Sequence, residues 1–163
     1  MEKLKRLSRR SGQATFEFAL MYGAVIVPLL FGIVFVSQIC WIWHSMVEFT
    51  RDGARYAATH CYDANGVQQY MYAHVPPNID SAQFQAGGSA TINVSYFAYD
   101  PDIYQYSTFS GCTACVPDAV AVTVTNYQFQ RYTTLLKSIA LPPFTGSQAI
   151  GSSGLDETGT CTQ

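Results

Sequence analysis

FALMYGAVIVPLLFGIVFVSQICWIW, residues 18–43, contains no Asp, Glu, Lys or Arg. As an α-helix rising about 1.5 Å per residue, this run is about 39 Å long, which exceeds the ~30 Å hydrocarbon core of a bilayer. Trp41 and Trp43 lie at its far end, and indole rings favour the boundary between membrane and water. The run therefore predicts a membrane-spanning helix, which Pro28 should kink because it lacks a backbone donor.

The charges on either side of the run predict its orientation. The first twelve residues contain five basic residues and one acidic residue, so the rest of the chain is acidic although the formal net charge is only -2. Because cytoplasmic flanks of membrane helices carry the excess of Lys and Arg, we expect the N-terminus in the cytoplasm and the body outside. The body has few cations and no basic stripe, so nucleic acid is not an expected partner.

Removable export signals fit this run poorly. It is too long for the apolar core of a secretory signal, and no cleavage site of small residues follows it. Ile39 before Cys40 does not fit a lipoprotein signal. Ser8 to Ser11 open like a twin-arginine signal, but Gly12 and Gln13 stand where that signal has apolar residues. An uncleaved signal anchor remains an alternative.

Periodicity predicts the remaining elements. Apolar residues keep helical spacing as far as Cys61, so we expect one helix from about Thr15 to Cys61, weakened at Gly53. A short helix capped by Asn65 and three strands are expected beyond it, with a loop over residues 100–117 and an apolar linker before the last strand. The helix is expected at 67–75 and the strands at 89–97, 119–129 and 144–150. The predicted fold is α+β: a long N-terminal transmembrane helix that continues into a small head with an antiparallel sheet of about three strands.

Four of the five cysteines are expected outside the membrane. In an oxidising compartment they predict two disulfides, with three possible connectivities that the sequence leaves open. Cys112 and Cys115 also have the spacing of half a zinc site or of a redox pair, but no partner pair and no helix N-terminus accompany them. Cys40 is expected to be a small buried apolar residue. The disulfide candidates are Cys61, Cys112, Cys115 and Cys161.

Catalytic patterns are missing from the sequence. His44, His60 and His74 belong to no recognisable motif and are expected at the membrane boundary or the surface, and no phosphate-binding loop or dinucleotide fingerprint is present. We therefore expect no enzymatic activity, no cofactor and no metal. The aromatic segment from Tyr99 to Phe109 either contacts a partner or covers the core of the head.

Glu17 is an acidic residue at the start of the apolar run. A charged side chain costs about 3 kcal/mol at the bilayer centre and less toward the interface, so this carboxylate should seek a cation. If the chain is cut between Gly12 and Gln13, the new α-amino group lies four residues before Glu17 on the same helix face. That amine, or the amine of a neighbouring subunit, would pair with it. The alternative is a carboxylate that reaches the cytoplasmic interface.

The basic leader, Gly12, a glutamate at the fifth position after it, the apolar helix and the small head together resemble a type IV pilin precursor. More narrowly, GQATFEFALMYGAVIVPLLFGIVF at 12–35 followed by FTRDGARYAAT at 49–59 is similar to the TadE-like family, the minor pilin-like proteins of tight-adherence pilus systems. The strand VAVTVTNYQF at 120–129 and the final strand resemble the C-terminal half of that family. The second block contains Arg51, Asp52, Gly53, Ala54, Arg55 and Tyr56.

The resemblance implies a division of the chain and a set of partners. A prepilin peptidase would cut between Gly12 and Gln13, so that residues 1–12 are a leader, 13–61 the helix and 62–163 a periplasmic head. Glu17 would take the assembly position. The implied partners are other pilin-like subunits, the inner-membrane assembly platform and the lipid bilayer. The implied role is assembly or initiation of the pilus, in support of surface adhesion. An uncleaved envelope-binding protein and a membrane-tethered thiol redox protein are the alternatives.

Overall fold

The structure, a computed structural model, describes residues 2–60, 63–109, 117–129 and 139–150. A long apolar N-terminal helix precedes an antiparallel sheet of four strands, which confirms the predicted α+β fold class. By its internal contacts the chain divides into two units, Met1–Trp41 and Ile42–Gln163.

The N-terminal helix is interrupted once. Helix α1 comprises Glu2–Met21 and helix α2 comprises Val27–Thr59. A π-helical turn, Tyr22–Ile26, joins them. It lies directly before Pro28, whose ring and missing N–H disfavour a regular α-helical ladder. The helix therefore begins much earlier than the expected Thr15 and is irregular next to the proline. From Gly12 to Thr59 it is long and apolar enough to cross a membrane.

The part of α2 that belongs to the second unit is amphipathic. Its buried residues recur at the three- and four-residue spacing of one helix face. Several of them are small, which lets neighbouring elements approach the helix closely. The buried residues are Ile42, Met46, Phe49, Thr50, Gly53, Ala54, Ala57 and Ala58.

Helix α3, Ala64–Ala73, begins earlier than predicted. Its N-cap is Asp63 rather than the expected Asn65, because the Asp63 carboxylate accepts a hydrogen bond from the Asn65 N–H at 3.0 Å. A carboxylate satisfies an orphan backbone donor and also complements the helix dipole. The helix is held against the sheet by Gln68, whose Nε2 donates to the Ile92 carbonyl at 2.8 Å.

The main sheet has four strands: β1, Thr91–Asp100; β2, Gln105–Thr108; β3, Ala119–Thr125; and β6, Phe144–Ala149. Their order in the sheet is β2-β1-β3-β6, and every neighbouring pair is antiparallel. Three of them confirm the predicted strands. The fourth, β2, lies within the stretch predicted to be a loop, because a turn after Asp100 folds the chain back and pairs Tyr106 with Tyr99.

A second sheet has two strands, β4, Gln128–Phe129, and β5, Ile139–Ala140. The strand expected at 119–129 is divided, because Asn126 has a φ of 60° and turns the chain out of β3. The apolar linker predicted before the last strand contains β5.

The core lies between α2 and one face of the main sheet. Three valines of β3 are fully buried, and the strand alternates between buried and half-buried positions. At Gly146 in β6 the strand approaches the helix so closely that an added Cβ would lie 2.6 Å from the Thr50 carbonyl oxygen. The Trp43 ring meets the Phe144 ring edge-on at 4.8 Å between centroids. The valines are Val120, Val122 and Val124.

Candidate functional site

The predicted processing and assembly residues lie on exposed turns of α1. Gln13 Nε2 donates to Glu17 Oε1 at 3.2 Å, so the two side chains share one helix face, as the four-residue spacing predicts. A Cβ added to Gly12 would meet no described atom within 4 Å. Local packing therefore does not require glycine at this position, although glycine weakens a helix by about 1 kcal/mol relative to alanine.

Exposed phenylalanines precede and follow Glu17 in the sequence. Phe16 and Phe18 are 67% and 69% exposed, and the Phe18 ring stacks on Tyr22 at 6.3 Å between centroids. No other acidic residue occurs between Gln13 and Val47. Along this part of the helix, the surface available to a neighbour is thus apolar with one carboxylate in it.

The block at 51–56 presents two different faces. Gly53 and Ala54 are buried, and a Cβ on Gly53 would lie 2.5 Å from the Met71 sulfur. Arg51 and Arg55 are exposed and pair with acids one turn earlier, at 3.4 Å to Glu48 and 3.8 Å to Asp52. The small residues therefore let α3 dock on α2, while the charged residues pair with one another on the surface.

Tyr56 ends this block within a stack of four aromatic rings. Its ring lies parallel to Tyr70 of α3 at 3.9 Å, and His60 and His74 stack on the two outer sides at 3.8 and 4.3 Å. Each histidine Nδ1 donates to the carbonyl of the tyrosine four residues earlier, at 3.0 and 2.8 Å. No prediction from the sequence included this stack. The repeated Tyr-x-x-x-His spacing at 56–60 and 70–74 is the signal that could have revealed it.

A cavity of about 500 Å³ opens beside Ile79, Asp80 and Gln83. Gln83 is buried, and its side chain holds both backbone groups of Gln128: Nε2 donates to the carbonyl at 2.7 Å, and Oε1 accepts from the N–H at 2.8 Å. Asp80 accepts from the Ala82 N–H at 3.1 Å. These hydrogen bonds hold the loop closed and occupy the amide of Gln83.

The aromatic segment from Tyr99 to Phe109 forms the β1–β2 hairpin. Tyr104 has a φ of 53° at its tip and is 80% exposed, and Tyr106 is 59% exposed. The rings of Tyr99 and Tyr106 pack against each other at 5.3 Å. Of the two expectations for this segment, exposure favours contact with a partner over a cover for the core.

The cysteine predictions fall largely outside the described residues. Cys61, Cys112, Cys115 and Cys161 all lie there. Cys40 is described, and its side chain lies on the exposed surface of the apolar helix. Among the residues that the structure describes, no three His, Cys, Asp or Glu side chains converge as metal ligands.

Comparison with protein-family models, with curated proteins and with solved structures finds no match.

Proposed function

We propose that this chain is a minor pilin-like subunit of the TadE-like kind. It would cross the bacterial inner membrane once, with its N-terminus in the cytoplasm and its head in the periplasm, and would support assembly or initiation of a tight-adherence pilus. The observation that carries the proposal is an exposed apolar helix with one carboxylate, Glu17, that follows an exposed Gly12 for which packing gives no reason.

The physical argument rests on where the apolar surface of the first unit can be buried. Large side chains along this helix are about half to three-quarters exposed, and burial of such surface is favourable by about 25 cal/mol per Å². A bilayer covers it before assembly, and helices of neighbouring subunits would cover it afterwards. In either apolar environment Glu17 needs a cation, because an unpaired buried charge costs several kcal/mol. The α-amino group of a mature Gln13, on the same chain or a neighbour, would supply that cation.

N-terminal sequencing of protein extracted from membranes tests the processing step. With prepilin peptidase present, the wild-type chain should begin at Gln13, and Gly12→Val should begin at Met1. Gly23→Val is the matched control, since a Cβ at Gly23 also meets no described atom within 4 Å, and its mature start should be Gln13. A wild-type start at Met1, or equal processing of Gly12→Val, would overturn the proposal.

Pilus counts test the role of Glu17. Glu17→Val should leave membrane insertion and cleavage intact and reduce the number of pili, because the pairing charge is lost. Glu48→Gln is the control: Glu48 is a carboxylate of the same helix in an exposed ion pair with Arg51. Unchanged pilus number in Glu17→Val would argue against the assembly role.

The disulfides belong to this proposal because an oxidising compartment would form them. Mass spectrometry of protein purified without reductant should find the periplasmic thiols oxidised. Four free thiols would remove this part of the proposal.

The exposed hairpin favours a second candidate, an uncleaved signal-anchored protein that binds an envelope partner. In that case Gly12→Val would have no consequence for activity, and the chain would keep Met1. A membrane-tethered thiol redox protein is the third candidate and requires a reactive Cys112. Thiol labelling of the oxidised and reduced protein tests it.

A further inference from the structure

The outer face of the main sheet carries no charged side chain. Strand register places Thr, Ser, Asn, Ala, Phe and Tyr on this face across β1, β2, β3 and β6. Two pairs of threonine hydroxyls bond across the strands, Thr91 with Thr125 at 2.7 Å and Thr123 with Thr145 at 3.1 Å. Sheet faces in contact with water commonly carry charged residues, so an uncharged face of hydroxyls and amides favours a neutral, hydrogen-bonding partner.

A groove of about 390 Å³ lies at one end of this face. Its floor is formed by alanines of β3 and β6, chiefly Ala121 and Ala149, and Phe97 and Tyr106 form an aromatic wall. Ser147 supplies a hydroxyl opposite the wall. Alanine is disfavoured in strands, and the core-facing positions of β3 are all valine. Because alanine side chains are small, the outer surface is recessed at that end of the sheet. At the other end the larger threonine side chains fill it.

We propose that this groove binds a neutral carbohydrate. Aromatic rings at the wall can stack on the C–H faces of sugar rings, while the hydroxyls of Ser147 and Tyr106 can exchange hydrogen bonds with sugar hydroxyls. The volume is within the range of about 300 to 1,000 Å³ that is typical of small-molecule sites. None of the described residues that line the groove carries a charge at neutral pH.

The arginines near the groove do not call for an anionic ligand. Arg51 and Arg55 line a smaller pocket, about 190 Å³, that shares Ser147 with the groove. Each guanidinium is already paired with a carboxylate of its own helix. Neither arginine lines the groove itself, so a neutral occupant needs no ionic contact there.

Protein occupants fit the groove less well. A peptide strand binds by main-chain hydrogen bonds along the edge of a sheet, whereas this groove lies across the face of the sheet and includes residues of all four strands. An apolar helix would need an apolar surface that continues beyond the groove, but the adjoining positions are hydroxyl residues such as Thr123 and Thr145. Both objections are absent for a sugar chain.

The test uses the full chain in lipid nanodiscs, free of sugar-based detergent, and isothermal titration with maltohexaose, cellohexaose and chitohexaose. At least one of these neutral oligosaccharides should bind. Tyr106→Ala and Ala121→Val should each weaken binding by about tenfold, which corresponds to the loss of one aromatic contact or to a blocked floor. Valine favours the strand, so Ala121→Val should fold normally, and near-UV circular dichroism checks this.

The controls are Tyr104→Ala, an exposed aromatic at the hairpin tip outside the groove, and Thr123→Val, an outer-face position beside it. Both should bind as the wild type does, and binding should not change with salt. Failure of all three sugars to bind at about 10 mM, equal binding by Ala121→Val, or loss of binding in Arg51→Gln would each overturn the proposal. The outcome is independent of N-terminal processing, so the proposed pilus role can fail or stand separately.

Discussion

Large apolar side chains are mostly exposed in the first unit of the chain and form a buried core in the second. In Met1–Trp41, Phe31 is 72% exposed, and most of the other large apolar side chains are at least half exposed. In the unit that begins at Ile42, Phe129 is 1% exposed and Met46 is fully buried. The second unit thus supplies partners for its own apolar side chains. Most of the large apolar side chains of the first unit stay exposed, on a helix that is long and apolar enough to cross a membrane.

Glycine shows the same difference at single positions. A Cβ on Gly32 would meet no described atom within 4 Å, whereas a Cβ on Gly146 would press on the backbone of Thr50 and Arg51, at 2.6 and 2.8 Å. In the first unit glycine leaves a surface open to whatever surrounds the helix. In the second it sets the distance between a strand and a helix.

Gly146→Ala should have the largest effect among the changes that test this contrast. Its Cβ meets backbone atoms, which cannot rotate away, so the strand must shift from the helix at a cost of about 3 kcal/mol. Thermal unfolding followed by near-UV circular dichroism, which reports the aromatic core of the head, measures this loss.

The control for that change is Gly32→Ala. It should leave the unfolding of the head unaltered and can only strengthen the helix, by up to about 1 kcal/mol. Equal destabilisation by the two substitutions would mean that the units do not differ in this way.

The sequence predicted the elements whose signal is long and periodic. The apolar run at 18–43 and the alternation of Val120, Val122 and Val124 each repeat one spacing over many residues, so local pattern and tertiary burial agree. The predicted α+β class and three of the four main strands follow from these patterns.

The parts that the sequence did not predict depend on contacts between distant residues. Strand β2 exists because a turn pairs it with β1, whereas the sequence predicts a loop over residues 100–117. The side chain of Gln83 bonds the backbone of Gln128, 45 residues away, and no local sequence pattern predicts that contact. The close approach of Gly146 to Thr50 is likewise visible only in three dimensions. The groove was not predicted, because its aromatic wall and alanine floor come from different strands.

Gln83→Leu should have the next largest effect. Leucine keeps most of the volume but leaves the N–H and carbonyl of Gln128 without the amide that now bonds both. Two backbone groups in a half-buried setting then lose their partner, at a cost of about 2 kcal/mol. Chemical denaturation measured through the midpoint at constant slope reports this cost.

Gln85→Leu is the matched control, two residues further along the same loop and exposed. It should unfold within about 0.5 kcal/mol of the wild type, as surface substitutions usually do. If both variants unfold alike, the Gln83 amide does not close the loop.

The stack between α2 and α3 should contribute less. A double-mutant cycle on Tyr56 and Tyr70, each changed to leucine, isolates the coupling of two rings that lie 3.9 Å apart and nearly parallel. The expected coupling is about 1 kcal/mol, which is typical of aromatic pairs beyond their buried area. Tyr72→Leu on the exposed side of α3 should show no coupling with Tyr56→Leu. A coupling energy of zero would mean that Tyr56 and Tyr70 contribute to stability independently and that their stacking adds nothing.

The smallest effect is expected from the titration of Tyr96, a half-buried residue of β1. Burial, and to a lesser degree the negative charge of Asp63, raise the pKa of Tyr96 to about 12 from the ordinary value of 10.0. The folded state therefore holds this proton more tightly than the unfolded state, so unfolding releases it between these two pH values. The stability linked to Tyr96 is fully present below pH 10.0 and is lost as the pH rises through about 12. Denaturation at several pH values should show this loss of stability. The loss should be absent in Tyr96→Phe. It should persist in the control Tyr104→Phe, in which Tyr96 is intact. An identical alkaline loss of stability in Tyr96→Phe would show that burial in the head does not disfavour the charged form of Tyr96. The contrast between the two units would then be weaker, because the second unit would not exclude charge from its core.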